Sequence, residues 1–195
     1  MFRFGETVLH IDPVSREADY SRMLKGDIIL ITHEHGDHLD PEAIEMVRKE
    51  GTTILLPQEC ASAVRGNVIM KNGDVRIIGG LEFEAVPAYN IIHKRPSGEP
   101  FHPRGEGNGY VTTFGDKRVY VAGDTENVPE MKDLPNIDVA FLPMNTMTLE
   151  MVADAARAFR PKILYPYHSG KTSTSELVRL LAEEEDIEVR IRKME

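Results

Sequence analysis

Short runs of β-branched and apolar residues recur along this chain, alternating with segments whose apolar positions fall three and four apart. Thr7-Val8-Leu9-His10-Ile11 reads as a strand that stops at Asp12-Pro13. Ile28 to Thr32 is apolar up to its last residue and reads as a strand buried on both faces. Pro41 to Lys49 follows as an amphipathic helix: Asp40 is placed to cap it, Pro41 suits its first position, and Ala43, Ile44 and Val47 share a stripe. Thr53 to Pro57 predicts a strand and Gln58 to Val64 a short helix. Val68–Met70, Val75–Ile78 and Leu81–Val86 predict three more strands, the last two joined through Gly79-Gly80 as a tight hairpin.

From Pro87 to Gly109 proline, glycine and charge dominate and no hydrophobic period survives. The stretch is too long for an ordinary connection and is a candidate functional loop. Gly109–Phe114 and Arg118–Ala122 then form a hairpin across Gly115-Asp116-Lys117. Asp138–Leu142 predicts a buried strand, and Leu149–Phe159 a helix with Met151, Ala155, Ala158 and Phe159 on its inner face, ended by Pro161. Ile163–Pro166 is a strand leading to His168, Thr174–Glu185 the last helix, and Ile187–Ile191 a final strand. No fixed repeat and no linker interrupts the pattern, so residues 1–195 read as one domain, for which two sheets faced by helices is the economical packing.

Composition narrows the function classes. The chain is 195 residues long, 41% hydrophobic and 28% charged, as expected of a soluble globular domain with a substantial core. A net charge of −9 argues against nucleic acid as a partner. No apolar run approaches the roughly 18 residues needed to span a bilayer, and Met1 to Glu6 lacks the layout of a signal peptide. A single cysteine, Cys60, cannot form an internal disulfide and suits a reducing cytosol, so the expected location is cytoplasmic. Its small neighbours Ala61-Ser62-Ala63 mark it as a packing residue rather than a nucleophile.

The chemistry concentrates in His33-Glu34-His35-Gly36-Asp37-His38, which holds three of the seven histidines. Imidazoles at alternate positions of an extended segment project to one side, so His33 and His35 can reach one metal. After the turn at Gly36, Asp37 and His38 can face a neighbouring position, and two metals can share one pocket. Nitrogen and oxygen donors of this kind suit zinc first, with manganese or iron as alternatives. A helix cap needs one small polar residue and not three imidazoles. Further polar residues follow the ends of predicted strands: Asp12, Asn90, Asp124 after Gly123, and His168. Strand termini hold ligands rigidly, and one aspartate can bridge two cations through its two oxygens.

His33-x-His35-x-Asp37-His38, Gly123-Asp124-Thr125 and a strand ending in His168 together resemble the metallo-β-lactamase superfamily of binuclear metallohydrolases over nearly the whole chain. Pro87-Ala88-Tyr89-Asn90, Phe101-His102-Pro103 and Gly109-Tyr110-Val111 resemble its short single-domain branch, which includes ascorbate-phosphate-lactonase-like proteins. The resemblance implies an α/β (α+β) fold, a four-layer αββα sandwich with the metals at one edge between two sheets. It implies that Asp12 orients the loop, that His33 and His35 hold metal one, that Asp37, His38 and His168 hold metal two, and that Asp124 bridges. Two features depart from the family. Relatives place a histidine just after the strand corresponding to Leu81–Val86, where this chain has Ala88-Tyr89-Asn90; His102, His93 or Asn90 would complete metal one, and His102 is favoured because Phe101 and Pro103 flank it. The family also opens with a further strand, so a shortened N-terminal edge or a missing edge strand is expected.

A water shared by two divalent cations has its pKa drawn towards neutrality and needs no serine or cysteine nucleophile. The expectation is a metal-dependent hydrolase whose metal-bridged hydroxide attacks an ester, lactone, amide or phosphodiester of a small molecule. Asp37 would serve as ligand and proton carrier, and Asp12 would orient a histidine. Lys94, Arg95, Arg104, Ser169 and Lys171 favour an anionic, phosphorylated substrate. A homo-oligomer is compatible with this reading. The rival class is a catalytically weak metal-binding or regulatory protein, which a missing third ligand at metal one would favour.

Overall fold

The computed structural model describes residues 1–192. Five strands form one sheet in the order β1–β5: β1 (Phe2–Phe4), β2 (Thr7–Ile11), β3 (Ile28–Leu30), β4 (Thr53–Leu56) and β5 (Asn67–Ile69). β1 runs antiparallel to β2, and the remaining neighbours are parallel. A second, seven-stranded sheet has the order β12-β11-β10-β9-β8-β7-β6. Its members are β6 (Val75–Ile78), β7 (Leu81–Ala88), β8 (Gly107–Phe114), β9 (Lys117–Val121), β10 (Val139–Pro143), β11 (Ile163–Tyr167) and β12 (Glu188–Val189). The half from β6 to β9 is antiparallel and the half from β9 to β12 parallel.

Alternation along the strands divides the core into three layers. Leu9, Ile28, Leu30 and Leu55 face Leu81, Phe83, Ala85 and Tyr110 between the sheets. On the outside of the first sheet, Ile29, Ile31, Ile54 and Leu56 pack against Ile44 and Val47 of α1 (Pro41–Val47). On the outside of the second, Val111, Tyr120, Ala140, Leu142 and Leu164 pack against α2 (Pro129–Lys132), α3 (Leu149–Phe159) and α4 (Thr174–Leu180). The result is an αββα sandwich. Seven strands against five leave part of the second sheet's inner face open as a groove that Phe2, Phe4, Phe114, Phe141 and Tyr165 line.

Several elements differ from the sequence expectation for physical reasons. The N-terminal edge strand is present, because the alternation Phe2-Arg3-Phe4 pairs with Thr7–Leu9, although three residues are too few to show a period. Gln58–Val64 yields only a three-ten turn at Gln58–Cys60: Pro57 and the left-handed Gly66 bound a segment too short to nucleate a helix. β7 continues through Pro87 and β8 begins at Gly107, so the functional loop is 89–106 rather than 87–109. The Ala85 amide donates to Asp74, and Pro87, two residues on, faces the same side beyond the end of β6, where no donor is required. α4 stops at Leu180 instead of Glu185, because Glu183-Glu184-Glu185-Asp186 would set like charges against the negative helix terminus. The final strand shrinks to Glu188–Val189. The buried stripe of α3 is Val152, Ala153, Ala155, Ala156 and Phe159, with Met151 at its margin and Ala158 exposed.

Gly109 marks the tightest approach in the second sheet: a Cβ there would lie 2.9 Å from the Ala122 carbonyl oxygen and 3.1 Å from Val86. Gly109→Ala is expected to destabilise the fold by about 1–3 kcal/mol, the cost of overpacking a filled interior, as read from the urea midpoint of the variant against the parent chain.

Candidate metal centre

β3 delivers the histidine loop to the end of the sandwich, and Asp12, which follows β2 with a left-handed φ of 43°, meets it there. The Asp12 carboxylate accepts from the Thr32 amide at 2.8 Å, the Thr32 hydroxyl at 2.6 Å and His38 Nδ1 at 2.8 Å. Because the Thr32 hydroxyl spends its only proton on Asp12, it accepts from His33 Nδ1 at 3.0 Å. Both rings thereby keep Nδ1 protonated and turn Nε2 away from Asp12.

His102 arrives from loop 89–106. Its Nδ1 donates to Asn90 Oδ1 at 2.7 Å, its amide donates to the same oxygen at 3.1 Å, and the Asn90 amide donates to the His102 carbonyl at 2.9 Å. His102 Nε2 then lies 3.0 Å from His35 Nδ1. Asn90 therefore orients His102 instead of offering itself as a ligand. His93 is turned away onto Glu126, 2.8 Å from its Oε1, and His10 is a core imidazole bonded to the Leu24 carbonyl.

Asp124 follows β9 through Gly123, whose φ of +67° and 3.2 Å approach to Thr32 require glycine. Its Oδ2 accepts from Asn145 at 2.6 Å, and its Oδ1 lies 3.4 Å from His38 Nε2. His168, itself left-handed at φ 54°, ends β11 with Nε2 3.5 Å from Asp37 Oδ2 and 3.7 Å from Asp124 Oδ2. Candidate ligand atoms thus fall into three groups, each within 4.8 Å: His33, His35 and His102; His33, His38 and Asp124; Asp37, His38 and His168. All seven metal ligands inferred from the sequence, together with Asp12, meet at one end of the sandwich. Thr32, Asn145 and Glu126 were not singled out there, because their roles depend on contacts with residues far along the chain.

Burial drives His33 down to about 2, with the neighbouring His38 charge adding to the effect, and burial takes His102 down to about 4. Both stay neutral, with a lone pair to offer. Burial also opposes the His38 charge, but its hydrogen bond to Asp12 and the facing Asp124 carboxylate prevail and lift it to about 10. Burial would raise Asp124, yet His38 holds that carboxyl well below the usual range. A positive charge is therefore favoured between Asp12 and Asp124: it is carried by a second proton on the His38 ring, at Nε2, which a bound cation would displace.

The donors fit divalent metal ions. His33 Nε2, His38 Nε2, Asp124 Oδ1 and His168 Nε2 are buried without a hydrogen-bond partner, a costly arrangement that a cation facing all four would relieve. Atoms within 4.8 Å of one another in each group could all face one small cation. Beside Asp12, Asp37 and His38 opens a cleft of about 750 Å³, walled by Phe2, Ile11, Val14, Tyr20, Phe141 and Tyr167. Cys60 is buried, and burial pushes its thiol up to about 12, so it offers no nucleophile.

Residues 1–168 match the β-lactamase superfamily domain, and the chain belongs to this superfamily. Within it, the chain is similar to the UPF0173 metal-dependent hydrolases: it is 33% identical over 155 residues to one from Methanopyrus kandleri, covering 74% of this chain and 66% of that protein. A relative from Listeria monocytogenes is 30% identical over 179 residues, covering 84% and 78%. The chain spans about two thirds of the length of the first of these relatives. A solved structure from Parabacteroides distasonis, described as a candidate metal-dependent hydrolase, superposes with a TM-score of 0.93 at 49% identity, over 99% of this chain and 88% of its own. A structure from Thermotoga maritima at 14% identity, with a TM-score of 0.63, shares the fold.

Asp12→Asn places an amide where three donors converge. Metal affinity is expected to fall by about 10–100-fold, the usual cost of losing the partner that orients a ligand; competitive titration against a chromogenic chelator measures it.

Proposed function

We propose that this chain is a binuclear metal-dependent hydrolase that cleaves an ester, lactone or phosphodiester bond of a small, anionic substrate. The observation that carries the reading is the overlap of the three ligand groups, with four buried lone-pair atoms converging on one pocket. His33, His35 and His102 would hold one ion, Asp37, His38 and His168 the other, with Asp124 between them. The nitrogen-rich donor set favours zinc, with manganese and iron as alternatives. Two bound divalent cations supply an acidified water and an electrophile for the oxygen under attack.

The remaining work falls to the chain. Asp12 and Asn90 hold three imidazoles in the tautomer that presents Nε2 inward. Asn145 pins Asp124 Oδ2 so that Oδ1 stays directed at His38. Asp37, the more exposed carboxylate, takes a proton at Oδ2 from the attacking water and returns it to the leaving group. Arg95 stands against a candidate ligand: its guanidinium is 3.4 Å from His35 Nε2 and lies over the Phe101 ring. Arg104 is engaged by Glu130 and Tyr89. An anionic group on the substrate would meet Arg95. A purely metal-binding role would gain support from a missing third ligand, and His102 stands beside His33 and His35. The lone, buried Cys60 suits a reaction in the cytoplasm. Among the described residues no helix is long and apolar enough to cross a membrane.

His35→Ala is expected to keep the far-ultraviolet circular dichroism of the parent, lose one metal equivalent, and lose hydrolysis of a phosphodiester and lactone panel. Retained turnover in that variant would sink the proposal. Arg95→Met should raise KM for anionic substrates about 3–10-fold with kcat nearly unchanged, and leave neutral esters unaffected.

A further inference from the structure

Glu126 is completely buried, yet it is neither a candidate ligand nor part of the hydrophobic core. Its carboxylate accepts from three successive backbone amides, Ile91 at 2.9 Å, Ile92 at 2.8 Å and His93 at 2.6 Å, and from the His93 ring at 2.8 Å. Successive amides curled into a concavity form an anion-binding nest. Here the chain fills that nest with its own side chain. A buried carboxylate is tolerated only when such donors compensate its lost hydration, so the conformation of residues 91–93 and the burial of Glu126 require each other.

The same turn grips the loop through the main chain. The Glu126 amide donates to the Tyr89 carbonyl at 3.0 Å, and the Tyr89 amide donates to the Thr125 hydroxyl at 3.1 Å. Residues 124–126 therefore deliver Asp124 to the centre and also clamp residues 89–93. Asn90 lies inside that clamped stretch and grips His102 by three hydrogen bonds. A continuous path thus runs from Glu126 through the loop backbone and Asn90 to His102, while Asp37, His38 and His168 lie outside it.

We propose that Glu126 is a positioning residue for the His33–His35–His102 group: by anchoring loop 89–106 from within, it sets the affinity of that ion position and leaves the Asp37–His38–His168 position untouched. The proposal rests on the two-metal reading above. The turn that carries the bridging carboxylate thereby also decides whether the third nitrogen of the first position is in place.

The test is cobalt titration of the full chain and of Glu126→Gln and Glu126→Asp, with metal equivalents from elemental analysis and the visible spectrum recorded at each addition. Gln keeps the size but turns its NH2 towards two of the four donors, either the Ile91 and Ile92 amides or the His93 amide and ring; Asp keeps the charge but falls one methylene short. The parent is expected to take up two equivalents. Glu126→Gln should bind one as the parent does and the other at least ten-fold more weakly, with loss of the nitrogen-rich component of the spectrum, and Glu126→Asp should fall between. Hydrogen exchange should rise at residues 91–93 in the same order. Two equivalents with unchanged affinities in Glu126→Gln, or in Glu126→Asp should the Gln variant not fold, would overturn the role of Glu126 alone. A parent chain that takes up a single equivalent would overturn the two-metal reading as well.

Discussion

Asp12 brings one negative charge to a point where the Thr32 amide, the Thr32 hydroxyl and the His38 ring all need an acceptor. The hydrogen bonds there are charge-assisted and partly screened from water, and therefore among the stronger ones in the chain. Through them the ends of β2 and β3 in the smaller sheet fix the start of the histidine loop. The direction of the His38 and His33 rings follows, and with it the position of the two Nε2 atoms that they turn to the pocket. The left-handed backbone at Asp12 stores local strain that this network offsets.

The second sheet must supply the other half of the centre. It does so from two strand ends, Asp124 after β9 and His168 after β11, and from the long connection between β7 and β8 that carries His102. Strand ends are rigid, but a connection of this length needs its own fastening. Asn90, Thr125 and Glu126 provide it, so the loop behaves as an extension of the sheet and not as a free segment. Electrostatics agree with the geometry. Burial forces His33 and His102 neutral, while the Asp124 carboxylate stabilises positive charge at His38.

Much of this was legible in the chain itself, because the histidine loop packs its donors into six consecutive residues and strand-end polar residues stand out against β-branched runs. The choice among His102, His93 and Asn90 was not local. It depended on which side chain Glu126 would capture, and that contact spans more than thirty residues. Thr32 looked like the last residue of a strand, yet it relays the Asp12 charge to His33. The stretch Met144-Asn145-Thr146-Met147 combines core and site roles within four residues. The two methionines pack in the core while Asn145 holds Asp124 and Thr146 holds the Thr125 carbonyl. At the fold level, short elements escaped pattern reading for a similar reason: β1 owes its existence to pairing with β2, and Pro87 is tolerated only because β6 ends before it.

The residues of the centre come from positions as far apart as Asp12 and His168, on strands of both sheets and on the loop between two of them. No contiguous fragment of the chain contains a complete ligand group joining the two sheets. Closing such distant contacts is the slow, late part of folding for a sheet-rich topology. An ion therefore has no template to offer a nascent chain and meets its full set of donors only after the sandwich has closed. Tight metal uptake becomes a record of completed folding: a chain caught halfway offers the donors of the histidine loop but neither His102, Asp124 nor His168 to complete a ligand group.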